Sequence, residues 1–340
     1  MVLFHLGGAL ALPRYFGTRL FDHWFAFGDA GVEFFFVLSG FIITWVHAQD
    51  IGERSRLRAY LLKRVVRIYP TYWIIFTVIF LAALASPSLR NSVPHDVPTI
   101  IKALALVPQD PAVVGGTGAP VIIAAWSMQY EVLFYALVAI FILSRSLGML
   151  VFCVLFINYL RCQVDQCNFA QSFLSSNLLF LFLYGALIAY FCKSSIKLAN
   201  PLLIALFGAF AFLGTGALEN VMGRQMWVID RRLCFGFFSG VIILGLVRAE
   251  SSGQFRMKVS ALALLGDASY SLYLIHFPLI SILCKIMVSI GLVGTLGALI
   301  AFPAVLIACI LAALAFYVTI ERPMLRWLRI KSPSPIESGR

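Results

Sequence analysis

Between Gly31 and Val46 the chain carries one charged residue, Glu33, while the stretch from His47 to Arg67 carries six Lys or Arg. An apolar run of that length running straight into a basic block is what a helix leaving a bilayer into cytoplasm looks like. The remaining residues point to the same solvent. Hydrophobic types make up 61% of the 340 residues and charged types 12%, against about 25% charged in an average soluble domain. A core of this size could not hide so much apolar surface from water, so lipid must cover it. The net charge of +11 does not indicate a nucleic-acid partner. The basic residues form no single stripe; they lie between apolar runs, where they set topology and meet lipid headgroups.

Ten apolar segments are expected: 1–12, 31–47, 68–86, 122–143, 147–160, 177–192, 201–218, 233–247, 268–290 and 295–319. If loop 48–67 is cytoplasmic, the inner connections hold 17 Lys or Arg and the outer ones 8. That bias favours a multi-pass protein with both termini cytoplasmic. Trp24, Trp73, Trp126, Trp227 and Trp327 fall near expected helix ends, as interfacial aromatics should. The first segment has no basic residue ahead of it and is too short to span. It reads as a truncated first helix, not as a signal peptide. The fold class is therefore all-α, a polytopic membrane bundle of about ten transmembrane helices. One membrane domain covers 1–330, and the Ser-Pro-rich stretch 331–340 reads as a disordered cytoplasmic tail.

The longest outer loop, 87–121, holds six prolines and Gly115-Gly116, with room for a short helix over Thr99–Val107. Five of the seven cysteines lie in or beside apolar runs and read as packing residues. Cys162 and Cys167 share one short polar loop, where a disulfide can form if the loop faces an oxidising compartment. Spacing alone does not decide it. Two thiols without a nearby His make a poor zinc site, and no metal is expected.

An ionisable side chain in hydrocarbon costs about 2.5–3.5 kcal/mol on insertion scales, so each one needs a reason. His5 can take a hydroxyl proton near neutral pH, or it can be a histidine satisfied by a neighbouring helix. Ser127, Glu131 and Tyr135 recur at i, i+4 and i+8 and so share one inward face; a buried hydrogen-bond network would look the same. His276 has Tyr273 at i−3 and Pro278 just after it, an arrangement that also suits a structural histidine. Glu33 and Lys285 read as residues reaching toward headgroups, and His23, His47 and His95 as solvated. Arg64 and Arg67 stand at i, i+3 on the cytoplasmic end of the third helix, able to grip phosphates with several donors each, or to form the ordinary basic collar of an inner loop.

Taken in order, Phe4-His5, Gly31 through Phe41, Arg64-Val65-Val66-Arg67-Ile68-Tyr69-Pro70, Trp126-Ser127 through Glu131 to Tyr135, Ser269 through Pro278, and Glu321-Arg322-Pro323 resemble the integral-membrane acyltransferase-3 family. The flavour is closest to exopolysaccharide acetyltransferases of the succinoglycan type. The resemblance implies an O-acyltransferase of the bacterial inner membrane. Its donor is acetyl-CoA or another acyl-CoA, entering from the cytoplasm; its acceptor is a hydroxyl of a glycan or lipid-linked saccharide. The family's first-helix histidine maps onto His5, the residue expected to be catalytic, with Glu131 as a second catalytic candidate. The inner arginine pair maps onto Arg64 and Arg67 as donor contacts. Ser127, Tyr273 and His276 complete the substrate-binding set, with Ser127 or Tyr273 as an oxyanion donor. Glu131 and His5 are both expected toward the outer half. The family places a basic residue about ten positions before its histidine, whereas in this chain four residues precede His5. The alternative is a polytopic transporter of a glycan or lipid-linked precursor, against which the lack of an internal repeat counts.

Overall fold

The computed structural model describes residues 1–194, 196, 198–227, 230–254 and 260–331; the expected tail beyond Lys331 lies outside them. Among these residues the chain is helical, with no strand. The helices are α1 (Val2–Ala11), α2 (Leu20–Trp24), α3 (Gly31–His47), α4 (Leu57–Ala85), α5 (Val97–Leu104), α6 (Pro111–Val114), α7 (Trp126–Leu143) and α8 (Arg145–Val164), then α9 (Phe169–Leu174), α10 (Leu178–Lys193), α11 (Pro201–Met222), α12 (Arg231–Ser251), α13 (Ser260–Asp267), α14 (Ser269–Ser289), α15 (Gly294–Phe316) and α16 (Arg322–Lys331). Nine helical stretches among the described residues are long and apolar enough to cross a membrane, with α1 a shorter apolar helix beside them. All ten expected apolar segments are therefore helical, and the protein is a multi-pass membrane protein.

Contacts divide the chain into two compact units. The first comprises Met1–Gln49, Ser176–Ser260 and Ile280–Ile307; the second comprises Asp50–Ser175, Ala261–Leu279 and Ala308–Arg340.

In the first unit α3 packs on α10, and α11 packs on α12. α3 buries Val32, Phe36, Gly40, Ile43 and His47, residues three and four apart that form one face. That spacing explains why His47 is 4% exposed and not solvated as expected: it closes the buried stripe. α1 lies against α2 and the 3-10 turn Ala26–Ala30. A Cβ added to Gly7 would stand 2.9 Å from the Phe21 carbonyl oxygen, so only glycine lets α2 come that close.

In the second unit the main departure from the sequence reading is α4. The basic stretch expected as a loop is the first third of a 29-residue helix, about 43 Å long. Arg and Lys are good helix formers, and neither Gly nor Pro interrupts the chain from Leu57 to Tyr69. Trp73 is consequently mid-helix and not an end anchor. The Pro-rich segment folds back onto α4. Asp96 caps α5 by accepting from Thr99 N at 2.9 Å, and Pro98 sits in the first turn, where its missing N–H costs nothing. At the other end of α5, Tyr72 Oη donates to Ala103 O (2.8 Å), Trp73 Nε1 to Leu104 O (2.9 Å) and Tyr69 Oη to Ala105 O (3.0 Å). Carbonyls at a helix C-terminus lack intrahelical partners; α4 supplies three. Beyond α5 the backbone takes left-handed angles at Leu106 (φ 56°) and Val121 (φ 75°), the second an uncommon conformation for a β-branched residue.

Cys162 and Cys167 form a disulfide at the end of α8. It stands beside a clamp in which Asn158 Nδ2 donates to Gln171 O (3.0 Å) and Ser175 Oγ (2.6 Å). The short α9 so held stacks Phe173 on Tyr130 with ring centres 4.1 Å apart.

Candidate functional site

The candidate residues of the second unit come from α4, α7 and α14. α7 begins where the strained stretch through Val121 ends, and its first turn presents Ser127. Ser127 Oγ lies 2.6 Å from Tyr273 Oη on α14, and both hydroxyls reach the carbonyl of Ala124, at 3.3 Å and 2.9 Å. One turn along α7, Glu131 accepts from the Tyr135 hydroxyl. The Tyr135 ring is in turn covered by the Arg64 guanidinium at 5.4 Å, and the same guanidinium lies 5.4 Å from the Tyr60 ring. Tyr60 Oη donates to Tyr135 O at 3.1 Å. Arg64 is thus seated on two aromatic faces, a cation–π arrangement that fixes its direction. Arg67 is exposed on α4.

Because the basic stretch of α4 is helix and not loop, α7 pairs with it directly.

His276 is fully buried on α14, with Nδ1 3.0 Å from Leu272 O and its ring 5.9 Å from that of Tyr273. The carbonyl it meets belongs to its own preceding turn and is not the one that Pro278 frees, which is Leu274's. Three neighbours carry no expectation from the sequence. Glu321, 4% exposed in the π-helical turn Tyr317–Glu321, accepts from the Ser271 hydroxyl. Tyr270 Oη donates to Ile68 O at 2.8 Å. Gln129 Nε2 donates to Gly118 O at 3.1 Å, tying the Pro-rich segment to α7. Glu321 and Tyr270 lie inside stretches that carry the family resemblance; a π-helical turn, common at functional sites, has no sequence signal that separates it from plain helix.

His5 belongs to the first unit. It is half-buried on α1, edge-on to Phe4 at 5.0 Å. Asp29 belongs to an ion cluster that the sequence does not announce. Arg231 Nη2 meets Asp29 Oδ1 at 2.5 Å, its Nε meets Glu219 Oε2 at 2.7 Å, and its Nη1 lies 3.9 Å from Glu33 Oε1. Arg224 Nη2 takes the other Asp29 oxygen at 2.7 Å. Glu33, expected to reach headgroups, is instead 5% exposed, because the α11–α12 end wraps the first turn of α3. These residues are far apart in sequence, and only the packing of α11, α12 and the 3-10 turn brings them together.

A family model described as an acyltransferase domain matches residues 1–318. The exopolysaccharide production protein ExoZ of Rhizobium meliloti (strain 1021) is 30% identical over 334 residues, 94% of this chain and 96% of its own length. The acyltransferase MdmB of Streptomyces mycarofaciens is 28% identical over 123 residues, 35% of this chain and 29% of its own. No solved structure matches the chain.

Proposed function

The chain belongs to the acyltransferase domain family and is an acyltransferase, and from that premise we propose that it moves an acetyl group from acetyl-CoA, or another acyl-CoA, to a hydroxyl of a cell-surface polysaccharide or its lipid-linked precursor. The observation carrying the acceptor class is the similarity to an exopolysaccharide production protein along nearly the whole of both chains. The phosphates of the donor meet Arg64 and Arg67. The seat of Arg64 on Tyr60 and Tyr135 supports this reading, since a guanidinium held in one direction suits bidentate phosphate binding. His5 takes the proton of the acceptor hydroxyl as its oxygen bonds to the acyl carbon. The carbon–sulfur bond then breaks, and the thiolate of CoA receives the proton from the imidazolium. Ser127 and Tyr273 stabilise the oxyanion of the tetrahedral intermediate. Glu131 orders Tyr135 beneath Arg64, and His276 lines the substrate-binding set.

The protein is placed in the bacterial inner membrane with both termini cytoplasmic. The Lys and Arg bias supports this orientation. So does the Cys162–Cys167 bond, which lies at the opposite end of α8 from Arg145 and so falls on the oxidising side.

The test is polysaccharide acetylation in cells expressing His5→Ala or Glu131→Gln, with protein level in the membrane measured alongside. Both variants are expected to lose acetylation. Full acetylation with His5→Ala ends the assignment of the base. Binding of acetyl-CoA to the purified protein separates this reading from glycan transport, which requires none.

A further inference from the structure

We infer that the outer end of the first unit holds a saccharide-binding subsite, which anchors the acceptor by its hydroxyls through Glu33, Asn177, Asn220 and Trp227. The inference rests on the reading of the chain as a transferase to a glycan hydroxyl. It begins with four buried polar atoms that no described residue pairs: Glu33 Oε2, Asn177 Oδ1, Asn220 Oδ1 and Trp227 Nε1. Three of these residues use their other polar atom. Asn177 Nδ2 donates to Asp230 Oδ2, Asn220 Nδ2 donates to Trp24 O at 3.1 Å, and Glu33 Oε1 lies 3.9 Å from Arg231 Nη1. Arg231 is also the neighbour that gathers the rest. Its Nε meets Glu219, the residue before Asn220, at 2.7 Å. Asp230 directly precedes it. Its guanidinium lies 4.8 Å from the Phe235 ring, and the Trp227 ring lies 5.9 Å from the same ring.

A buried polar atom left unpaired forfeits its hydration and is rare in a native interior. Folding gains nothing from four of them gathered about one guanidinium, and Glu33 is itself only 5% exposed. The indole is also unlike an ordinary interfacial tryptophan, which keeps its N–H at the wet side. The chemistry of the four atoms selects their ligand. Three acceptors and one donor suit groups that both donate and accept, as a hydroxyl does. Charge agrees. Asp29, Glu33 and Glu219 set three carboxylates against the two guanidiniums of Arg224 and Arg231, so the cluster offers a phosphate no excess positive charge, while a neutral sugar ring meets no penalty. Arg231 fixes the frame, because its planar fork uses separate nitrogens for Asp29, Glu219 and Glu33. The helix ends so tied are the first turns of α3, α10 and α12 and the last of α11, on the outer side in the proposed orientation. The 3-10 turn carrying Asp29 packs in addition on α1, the helix of His5. A saccharide held at this end is thus in the same unit as the proposed base.

The experiment uses the full-length protein in detergent, with acetyl-CoA as donor. The acceptor is either the unacetylated polysaccharide of a deletion strain or its lipid-linked repeat unit. Trp227→Phe removes the unpaired N–H and keeps the ring; Glu33→Gln keeps an acceptor oxygen for Arg231 and turns the other into an amide. Each is expected to raise the KM for acceptor about fivefold, the worth of one hydrogen bond, with kcat and the KM for acetyl-CoA within about twofold. Both should melt no lower than wild type, since the altered atom makes no bond within the protein. In the absence of donor, either acceptor should change the tryptophan fluorescence of wild type, and less so that of Trp227→Phe. A rise in KM with both acceptors places the contact on the sugar itself; a rise with the lipid-linked one alone names the precursor as the source of the sugar. If one variant does not accumulate, the other and the donor-free titration decide. Unchanged acceptor KM in the variants that accumulate, or a wild-type fluorescence that no acceptor alters, overturns the inference; the four atoms then meet water alone, and acyl transfer to a glycan still stands. Wild-type protein that acetylates neither acceptor removes that reading, and the inference goes with it.

Discussion

Gly40 of α3 and Gly185 of α10 each lie against the other helix's backbone. A Cβ on Gly40 would stand 2.0 Å from Phe182 O, and one on Gly185 would stand 1.9 Å from Val37 O. The Leu38-Ser39-Gly40-Phe41 motif is therefore, in part, a helix-packing device of the small-residue kind. Alanine at either position must push the helices apart, because the obstructing atoms are main-chain. Gly185→Ala is expected to cost about 1–3 kcal/mol, seen as a lower melting temperature in detergent; an unchanged melt would mean the two backbones are not in contact.

Arg64 stacks on Tyr60 and Tyr135, so charge alone does not define its role. Arg64→Ala should raise KM for acetyl-CoA at least about tenfold, as expected for losing a charge-assisted contact worth about 1.5–3 kcal/mol. Arg64→Lys should recover part of this, since the ammonium keeps the charge but not the planar seat. Equal KM in all three proteins would remove Arg64 from the donor site.

Tyr273→Phe removes a hydroxyl that meets both Ser127 and Ala124 O. Ser127 keeps its own contact with that carbonyl at 3.3 Å, so the fold should survive. As an oxyanion donor, Tyr273 predicts a loss on the order of 10²-fold in kcat. A loss confined to KM would make it a binding residue only.

Replacing Cys162 and Cys167 by serine releases a short loop, worth about 2 kcal/mol on chain-entropy arguments. Asn158 still holds α9, so acetylation in cells should persist while the melt falls. After mild reduction, a membrane-impermeant maleimide added outside intact spheroplasts should label this loop. Labelling only after the membrane is broken would reverse the proposed orientation.

Hydrogen bonds from Thr99 hold the exposed Asp96 carboxyl below its ordinary range. A depressed carboxylate contributes above its unfolded value, about 3.9, and loses that contribution as pH falls through the lower folded value. The protection of the Thr99 amide, the slowing of its exchange relative to an unstructured amide at the same pH, should therefore be high at neutral pH and fall at strongly acidic pH. Asp96→Asn should flatten that dependence, since an amide still accepts from Thr99 N but does not titrate.

The ten apolar runs are legible in the sequence because period and length in lipid are set by the bilayer, which each segment meets independently. Ser127, Glu131 and Tyr135 are legible as one face for a similar reason: helical spacing is local. What stays hidden depends on partners distant in sequence. Arg231 counts as one more outer basic residue, and Glu33 as a snorkelling carboxylate, until α11 and α12 fold against the start of α3. The basic stretch of α4 reads as loop when charge is equated with solvent exposure, although lysine and arginine are about as helical as leucine.

The three side chains that reach from α4 to α5 recognise only main-chain oxygens, those of residues 103, 104 and 105. Nothing in that grip depends on which side chains stand at Leu104 and Ala105, so substitution there should be tolerated freely. Register is another matter: inserting one residue within α5 ahead of Ala103 would rotate every carbonyl away from its donor. This stretch can drift in identity while remaining intolerant of any change in length.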